Sequence, residues 1–109
     1  MKKCGLQPVI GEDARILILG SLPGDESLRK QEYYGNPKNL FWDVMSGIFG
    51  EKAPFEYSEK VEYLKRHGIA LWDVLHAAER EGSLDANIRN AVFNDIAGLL
   101  SDNPSIEVI

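Results

Sequence analysis

The sequence predicts an α/β domain, a three-layer αβα sandwich with a short, mainly parallel sheet. Two continuous apolar runs, residues 15–19 and 69–75, are typical of strands that are buried on both faces. Segments with helical apolar periodicity separate these runs, and a long polar loop over residues 20–42 follows the first of them. Ligands of open α/β sheets bind beyond the carboxyl ends of such strands, so this loop is the first place to look for a site.

Composition and charge describe a single domain over residues 1–109, with 44% hydrophobic residues and a net charge of −5. The acidic balance disfavours a general nucleic-acid binder. One cysteine excludes an intramolecular disulfide, and two distant histidines provide no metal-ligand spacing, so no metal or cofactor is predicted. No apolar run reaches the length of a membrane span, and residues 1–10 make a poor signal peptide. We therefore expect a cytoplasmic monomer with no membrane partner.

Turn and cap residues mark the elements in order. Residues 1–14 are expected to form an irregular arm, and residues 27–32 a short helical turn within the loop. After the loop, three helices are predicted: one over residues 40–49, one from a cap at Ser58 to about residue 66, and one over residues 91–100. A polar, mixed segment is predicted over residues 76–90, and a third strand opens at residues 106–109. Asn39 and Ser58 are the predicted N-caps, and Gly50 and Gly68 the predicted stops, of the first two helices.

The loop also contains the residues best suited to chemistry. Asn39 has two compatible interpretations, because a carboxamide that caps a helix can also position a water or a ligand atom. Backbone N–H groups of the stretch that follows the first strand can hold an anion, although it is neither GxGxxG nor a P-loop. That stretch consists of Gly20, Ser21, Leu22, Pro23 and Gly24. Asp25 and Asp73, each close after an apolar strand, are candidates for a general base or an electrostatic role, with turn formation favoured for Asp25.

Aromatic residues provide a further signal in the same loop. Tyr33 and Tyr34 are predicted either to form a wall that stacks on a planar ligand or to pack the loop onto the domain. Phe41 and Trp42 are more typical of core residues, although they lie near any site in the loop. The residues interpreted as surface, helix-terminus or turn positions without a chemical role are His67, His76, Ser83 and Asp85.

Five segments together carry a family resemblance. GSLPGDESL, YYGNPKNLFW, IALWDVL, GSLDANI and NDI, in this order, resemble the hypoxanthine-DNA glycosylase family of the uracil-DNA glycosylase superfamily. The chain is more distantly similar to the G/U mismatch-specific glycosylases. GSLPGD stands where the superfamily has the motif that faces the scissile bond, but it lacks the usual catalytic Asp or Asn at the second or third place. The resemblance instead assigns the catalytic role to Asn39.

The resemblance implies a monofunctional hydrolase that removes hypoxanthine from double-stranded DNA and leaves an abasic site, with no cofactor. It implies that Tyr34 and Phe41 sandwich the flipped base, while the amides of residues 20–24 stabilise the departing anion. Two alternatives stay open: a uracil or G/U mismatch glycosylase, and a non-catalytic nucleic-acid or nucleotide-binding module. Family members continue into a second motif that enters the minor groove. The chain is therefore expected to be the N-terminal two thirds of the family domain, which leaves the activity of the 109-residue form open.

Overall fold

Five strands, four α-helices and one 3₁₀ turn are found within residues 2–81 and 84–109, the part of the chain that the computed structural model describes. In chain order these are β1 (Lys2–Cys4), β2 (Ile16–Gly20), α1 (Asp25–Lys30), α2 (Phe41–Phe49), α3 (Tyr57–Arg66), β3 (Ile69–Asp73), β4 (Leu75–Glu79), the 3₁₀ turn Asp85–Asn87, β5 (Arg89–Phe93) and α4 (Ile96–Asp102). Ser83, predicted to form a turn, lies outside the described residues.

The two apolar runs form a parallel pair, β2 and β3, as predicted. The strands end together, with Gly20 opposite Asp73. The third strand expected over residues 106–109 is reduced to a single parallel bridge between Val108 and Ile16. Because parallel strands bring their carboxyl ends to one edge, the pair places the loop after β2 directly beside Asp73.

Helices cover both faces of this pair and so produce three layers. Side chains alternate along β3, where Ile69 and Leu71 join an apolar cluster that contains Trp42 of α2 and Leu64 of α3. Ala70, between them, joins a second cluster with apolar residues of α4. The predicted α/β class and its αβα layering are therefore confirmed.

A second sheet departs from the prediction. β4 lies between β1 and β5 and pairs antiparallel with both. The expectation of a mainly parallel sheet is therefore wrong for this part of the chain. Strands also lie within residues 1–14 and 76–90, where the sequence predicts an irregular arm and a polar, mixed segment. The reason lies in the side chains of β4. Two of its buried residues, Ala77 and Ala78, are alanines, which carry little strand signal in a sequence.

Helix boundaries were predicted with mixed success. The sequence predicts a helix over residues 91–100, but β5 extends to Phe93 and α4 begins at Ile96. The carboxylate of Asp95 accepts the N–H of Gly98 at 2.9 Å and caps α4 there, so the helix cannot begin earlier. Gly50 ends α2 with a left-handed φ of 65°, as predicted.

Ser58 was predicted to be an N-cap but lies inside α3. The helix begins at Tyr57, and Glu56 stands at the cap position with no side-chain hydrogen bond. Gly68, with φ of 74°, follows the end of α3 as predicted. No helix among the described residues has both the length and the apolar character needed to cross a bilayer.

Candidate active site

The candidate site begins where β2 and β3 end side by side. A Cβ added to Gly20 would stand only 2.5 Å from Oδ1 of Asp73, far inside contact distance. Glycine at the end of β2 is therefore what allows a carboxylate to lie at the end of the neighbouring strand. The glycine between the apolar run of β2 and the loop in the sequence thus has a geometric reason.

A cavity of about 420 Å³ opens beside this junction. It lies among the loop after β2, the segment before α2 and the end of β3. Its lining consists of Gly20, Ser21, Leu22, Pro23, Gly24, Asp25, Glu26, Ser27, Tyr33, Tyr34, Asn36, Asn39, Asp73 and Asp85. The fold therefore brings together every site residue predicted from the sequence except Phe41.

Asp73 contributes a buried carboxylate to the cavity. The residue is 6% exposed, and its Oδ2 has no hydrogen-bond partner in the described part of the chain. Burial raises the pKa of Asp73 to about 6, against the opposing charge of Arg80 and with a smaller contribution from Asp85. A structural carboxylate is normally paired, so an unpaired one in a cleft indicates a functional group. The sequence named Asp73 as a candidate but gave no sign that it is buried without a partner.

Asn39 lies just before α2 and fulfils the capping part of its prediction. Its Oδ1 accepts the N–H of Phe41, the first helical residue, at 2.8 Å. Leu40 occupies the formal cap position, so the carboxamide reaches the helix from one residue further back. The side chain is exposed, and Nδ2 donates to no acceptor among the described residues. Capping therefore uses the oxygen and leaves the amide donor available to a ligand.

The loop after β2 is asymmetric in its backbone hydrogen bonds. The carbonyls of Gly20, Ser21 and Gly24 accept N–H groups of Val74, Leu75 and Leu28, respectively. By contrast, the N–H groups of Ser21, Leu22 and Gly24 find no protein acceptor within the described ranges. Because backbone donors are rarely left unpaired, these three amides on a cavity wall favour a ligand with acceptor atoms or negative charge.

Tyr34 and Phe41 form a stacked pair, with ring centroids 3.9 Å apart and planes at 10°. No base fits between rings at that distance, so the sandwich that the resemblance implies cannot form in this arrangement. Phe41 is outside the cavity lining and supports Tyr34, whose carbonyl also accepts the indole N–H of Trp42 at 3.3 Å. Tyr33 is buried, and its hydroxyl donates to the carbonyl of Gln7 at 2.8 Å, which anchors the loop.

Arg80 is a residue of the site that the sequence did not suggest. It follows β4, its side chain is only 1% exposed, and its guanidinium donates to the carbonyls of Leu22 and Pro23. It also contacts Oδ1 of Asp85 at 3.3 Å, and the same oxygen accepts the hydroxyl hydrogen of Ser21 at 2.8 Å. Asp85, predicted to be a turn residue, therefore also ties two segments together. No sequence motif marks these contacts, because they depend on the course of β4.

The other residues considered in the sequence analysis make contacts of a structural kind. Asp25 begins α1 and pairs with Lys3, with Oδ1 and Nζ 2.6 Å apart. His67 stacks on Phe49, and His76 is exposed, and neither histidine lines the cavity. Among residues 2–81 and 84–109, no group of three or more His, Cys, Asp and Glu residues is arranged to hold a metal ion.

Fold and site together define a class of protein. It is an α/β domain with a cavity beyond the carboxyl ends of its parallel strands, lined by a buried carboxylate, a carboxamide donor and residues with unpaired amides. Residues 8–103 match the family model described as the uracil DNA glycosylase superfamily. The chain belongs to this superfamily.

Individual relatives agree with this membership. The chain is 46% identical over 110 residues to the hypoxanthine DNA glycosylase of Methanosarcina barkeri, an alignment that covers 100% of this chain and 70% of the relative. The hypoxanthine DNA glycosylase of Methanosarcina acetivorans is similar to the same extent. The solution NMR structure of a candidate uracil DNA glycosylase from Methanosarcina acetivorans superposes with a TM-score of 0.89 at 45% identity, covering 99% of this chain and 68% of that one.

Proposed function

We propose that this protein is a monofunctional DNA glycosylase that hydrolyses the N-glycosidic bond of a flipped, deaminated base in double-stranded DNA. The observation that carries the proposal is the cavity that unites the unpaired carboxylate of Asp73 with the amide donor of Asn39. Membership of the uracil DNA glycosylase superfamily supports it. The protein is further proposed to act as a cytoplasmic monomer.

Asp73 is suited to the sugar side of the reaction. As the bond between C1′ of the sugar and the base nitrogen breaks, positive charge develops on the sugar, and water then adds to C1′. An ionised carboxylate in a buried site stabilises that charge and accepts the proton of the attacking water. With a pKa of about 6, Asp73 is ionised at neutral pH and still basic enough for this step.

Asn39 and the loop amides are suited to the departing base, which takes up the electron pair of the broken bond. The Nδ2 group of Asn39 donates a hydrogen bond to the base, while its oxygen stays engaged by Phe41. The N–H groups of Ser21, Leu22 and Gly24 supply further donors to the same negative charge. This division retains the predicted catalytic assignment of Asn39, but not the alternative in which its oxygen holds the water.

Hypoxanthine is the proposed base, with uracil as the alternative. Two relatives that are 46% identical to this chain are named hypoxanthine DNA glycosylases. Deaminated bases also pair poorly, which lowers the free energy needed to flip them into a cavity.

The test is single-turnover base release from labelled duplexes that contain hypoxanthine opposite thymine or uracil opposite guanine, with an undamaged duplex as the control. Abasic sites are revealed by alkaline strand cleavage. The full-length Methanosarcina barkeri relative, run in parallel, verifies the substrates. Release from the hypoxanthine duplex supports the proposal. Duplex binding without release, when the relative is active, would favour a non-catalytic binding module.

A further inference from the structure

Arg80 is a charged residue in an unusual position. Its side chain is 1% exposed, although arginine is almost never fully buried without partners. Its guanidinium joins two segments that line the cavity, because it donates to the carbonyls of Leu22 and Pro23 and to the carboxylate of Asp85. Asp85 is itself 67% exposed in its side chain, so the buried cation has an exposed partner.

The loop needs such a donor. Leu22 and Pro23 are buried, they lie outside any strand, and their carbonyls have no ladder partner. A buried carbonyl without a hydrogen bond costs about 1–3 kcal/mol. A planar guanidinium satisfies two neighbouring carbonyls at once, which one ammonium group cannot do with the same geometry. Arg80 therefore holds the turn in which the N–H groups of Leu22 and Gly24 have no acceptor among the described residues.

The same cation bears on the charge of the cavity. Arg80 lowers the pKa of Asp73, which burial otherwise raises. Other groups that act on Asp73 come from the remaining walls of the cavity. They are Tyr33 and Tyr34 from the segment before α2 and Asp85 from the 3₁₀ turn, while Asp25 and Glu26 of α1 line the same cavity. Asp85 raises the pKa of Asp73 and so opposes its ionisation, and the positive charge of Arg80 works against it.

We propose that Arg80 is a positioning residue whose buried guanidinium holds the turn at Leu22 and Pro23 through their carbonyls and supplies the positive charge that balances the acidic lining of the cavity. The consequence for catalysis rests on the proposed glycosylase function. The two physical effects on the loop and on Asp73 do not, and both can be measured without DNA.

Two substitutions separate shape from charge. Arg80→Met keeps most of the aliphatic volume and removes the charge, so we expect the loop to loosen and the pKa of Asp73 to rise. Arg80→Lys keeps the charge but loses the fork, so we expect a loosened loop with a pKa of Asp73 close to that of the wild type. Arg66→Met is the matched control, because Arg66 is an exposed arginine on α3 that pairs with Glu51 and does not line the cavity.

The readouts are the NMR titration of the Asp73 carboxyl carbon and the backbone order parameters of residues 20–24 in the full chain. The proposal is supported when the pKa rises in Arg80→Met but not in Arg80→Lys or Arg66→Met, and order parameters fall in both Arg80 variants. An unchanged pKa or unchanged loop order in Arg80→Met overturns it. If Arg80→Met does not fold, Arg80→Lys alone decides. Reduced order parameters of the loop in Arg80→Lys then support the proposal, and wild-type order parameters overturn it.

Base release adds a separate readout. We expect both Arg80 variants to release hypoxanthine about 10- to 100-fold more slowly than the wild type, because small displacements of donors near a reacting group have effects of this size. The acid limb of the pH–rate profile for base release should move to higher pH in Arg80→Met. If the wild type releases no base, the proposed function fails, while the NMR outcomes still decide the positioning role of Arg80.

Discussion

The cavity has two walls that differ in burial and in charge. The loop wall, consisting of residues 20–24 with Asp73, is buried or half-buried and contains an acid, and the buried cation of Arg80 donates to its carbonyls. The helix wall, consisting of Tyr34 and Asn39, is more exposed, and its groups are neutral near pH 7. The difference indicates a division of tasks. In the proposed function, the loop wall supplies the electrostatic field, which is strongest away from water, and the helix wall supplies contacts for the base.

Removing the charge of the loop wall should have the largest effect. We expect Asp73→Asn to slow base release by about 10²–10⁴-fold, the usual contribution of a positioned proton acceptor. Asp102→Asn, at the exposed end of α4, is the control for loss of one carboxylate. Single-turnover rates at neutral pH provide the measurement. A wild-type rate in Asp73→Asn would show that the field of the loop wall is irrelevant to the reaction.

The same substitution should stabilise the fold. Burial of Asp73 raises its pKa from 3.8 to about 6, so the folded protein binds this proton more tightly than the unfolded chain does. The wild type therefore loses stability as the pH rises from about 4 through about 6, by up to about 3 kcal/mol. We expect Asp73→Asn to unfold at higher urea concentration than the wild type at pH values above about 6, with an advantage that shrinks towards about pH 4. A loss of stability above about pH 6 would indicate a paired, structural carboxylate.

Changes in the helix wall should have the next largest effect. Asn39→Ala removes the amide donor and the cap together, so we expect a rate loss of about 10²–10³-fold and a stability loss of about 1 kcal/mol. Asn39→Asp keeps an oxygen for the N–H of Phe41 but has no donor when ionised. It should retain wild-type stability with a rate as low as that of Asn39→Ala. Asn39→Asp at the wild-type rate would remove the donor role from Asn39.

Loss of the aromatic contact should have the smallest effect. Because Phe41 occupies one face of Tyr34, only the other face can stack on a base. We expect Tyr34→Leu to weaken duplex binding by about 1–3 kcal/mol, the range for one stacked base. Tyr34→Phe, the matched control, keeps the ring and should bind like the wild type. Equal affinities for Tyr34→Leu and the wild type in a titration with hypoxanthine duplex would exclude base stacking on this ring.

The two walls also differ in how far the sequence predicted them. The parallel pair, the loop between strand and helix, and Asn39 at the start of α2 all follow from local patterns of apolar runs and caps. The contacts of Arg80 do not follow from such patterns, because they depend on β4 joining an antiparallel sheet. The alanines of β4 give this strand little signal in the sequence. Asp73 stands between these cases. Its place at a strand end is visible in the sequence, whereas the absence of a partner is a property of the folded chain.

The central claim is that an ionised Asp73 acts in the cavity, and the pH dependence of base release tests it most directly. Single-turnover release of hypoxanthine would be followed from about pH 5 to about pH 8 at subsaturating enzyme, where the profile reports groups of the free protein. For the wild type we predict a rate that falls about tenfold per pH unit below the Asp73 pKa of about 6. For Asp73→Asn we predict a low rate with no acid limb. An acid limb of the same position and depth in both proteins would contradict the claim.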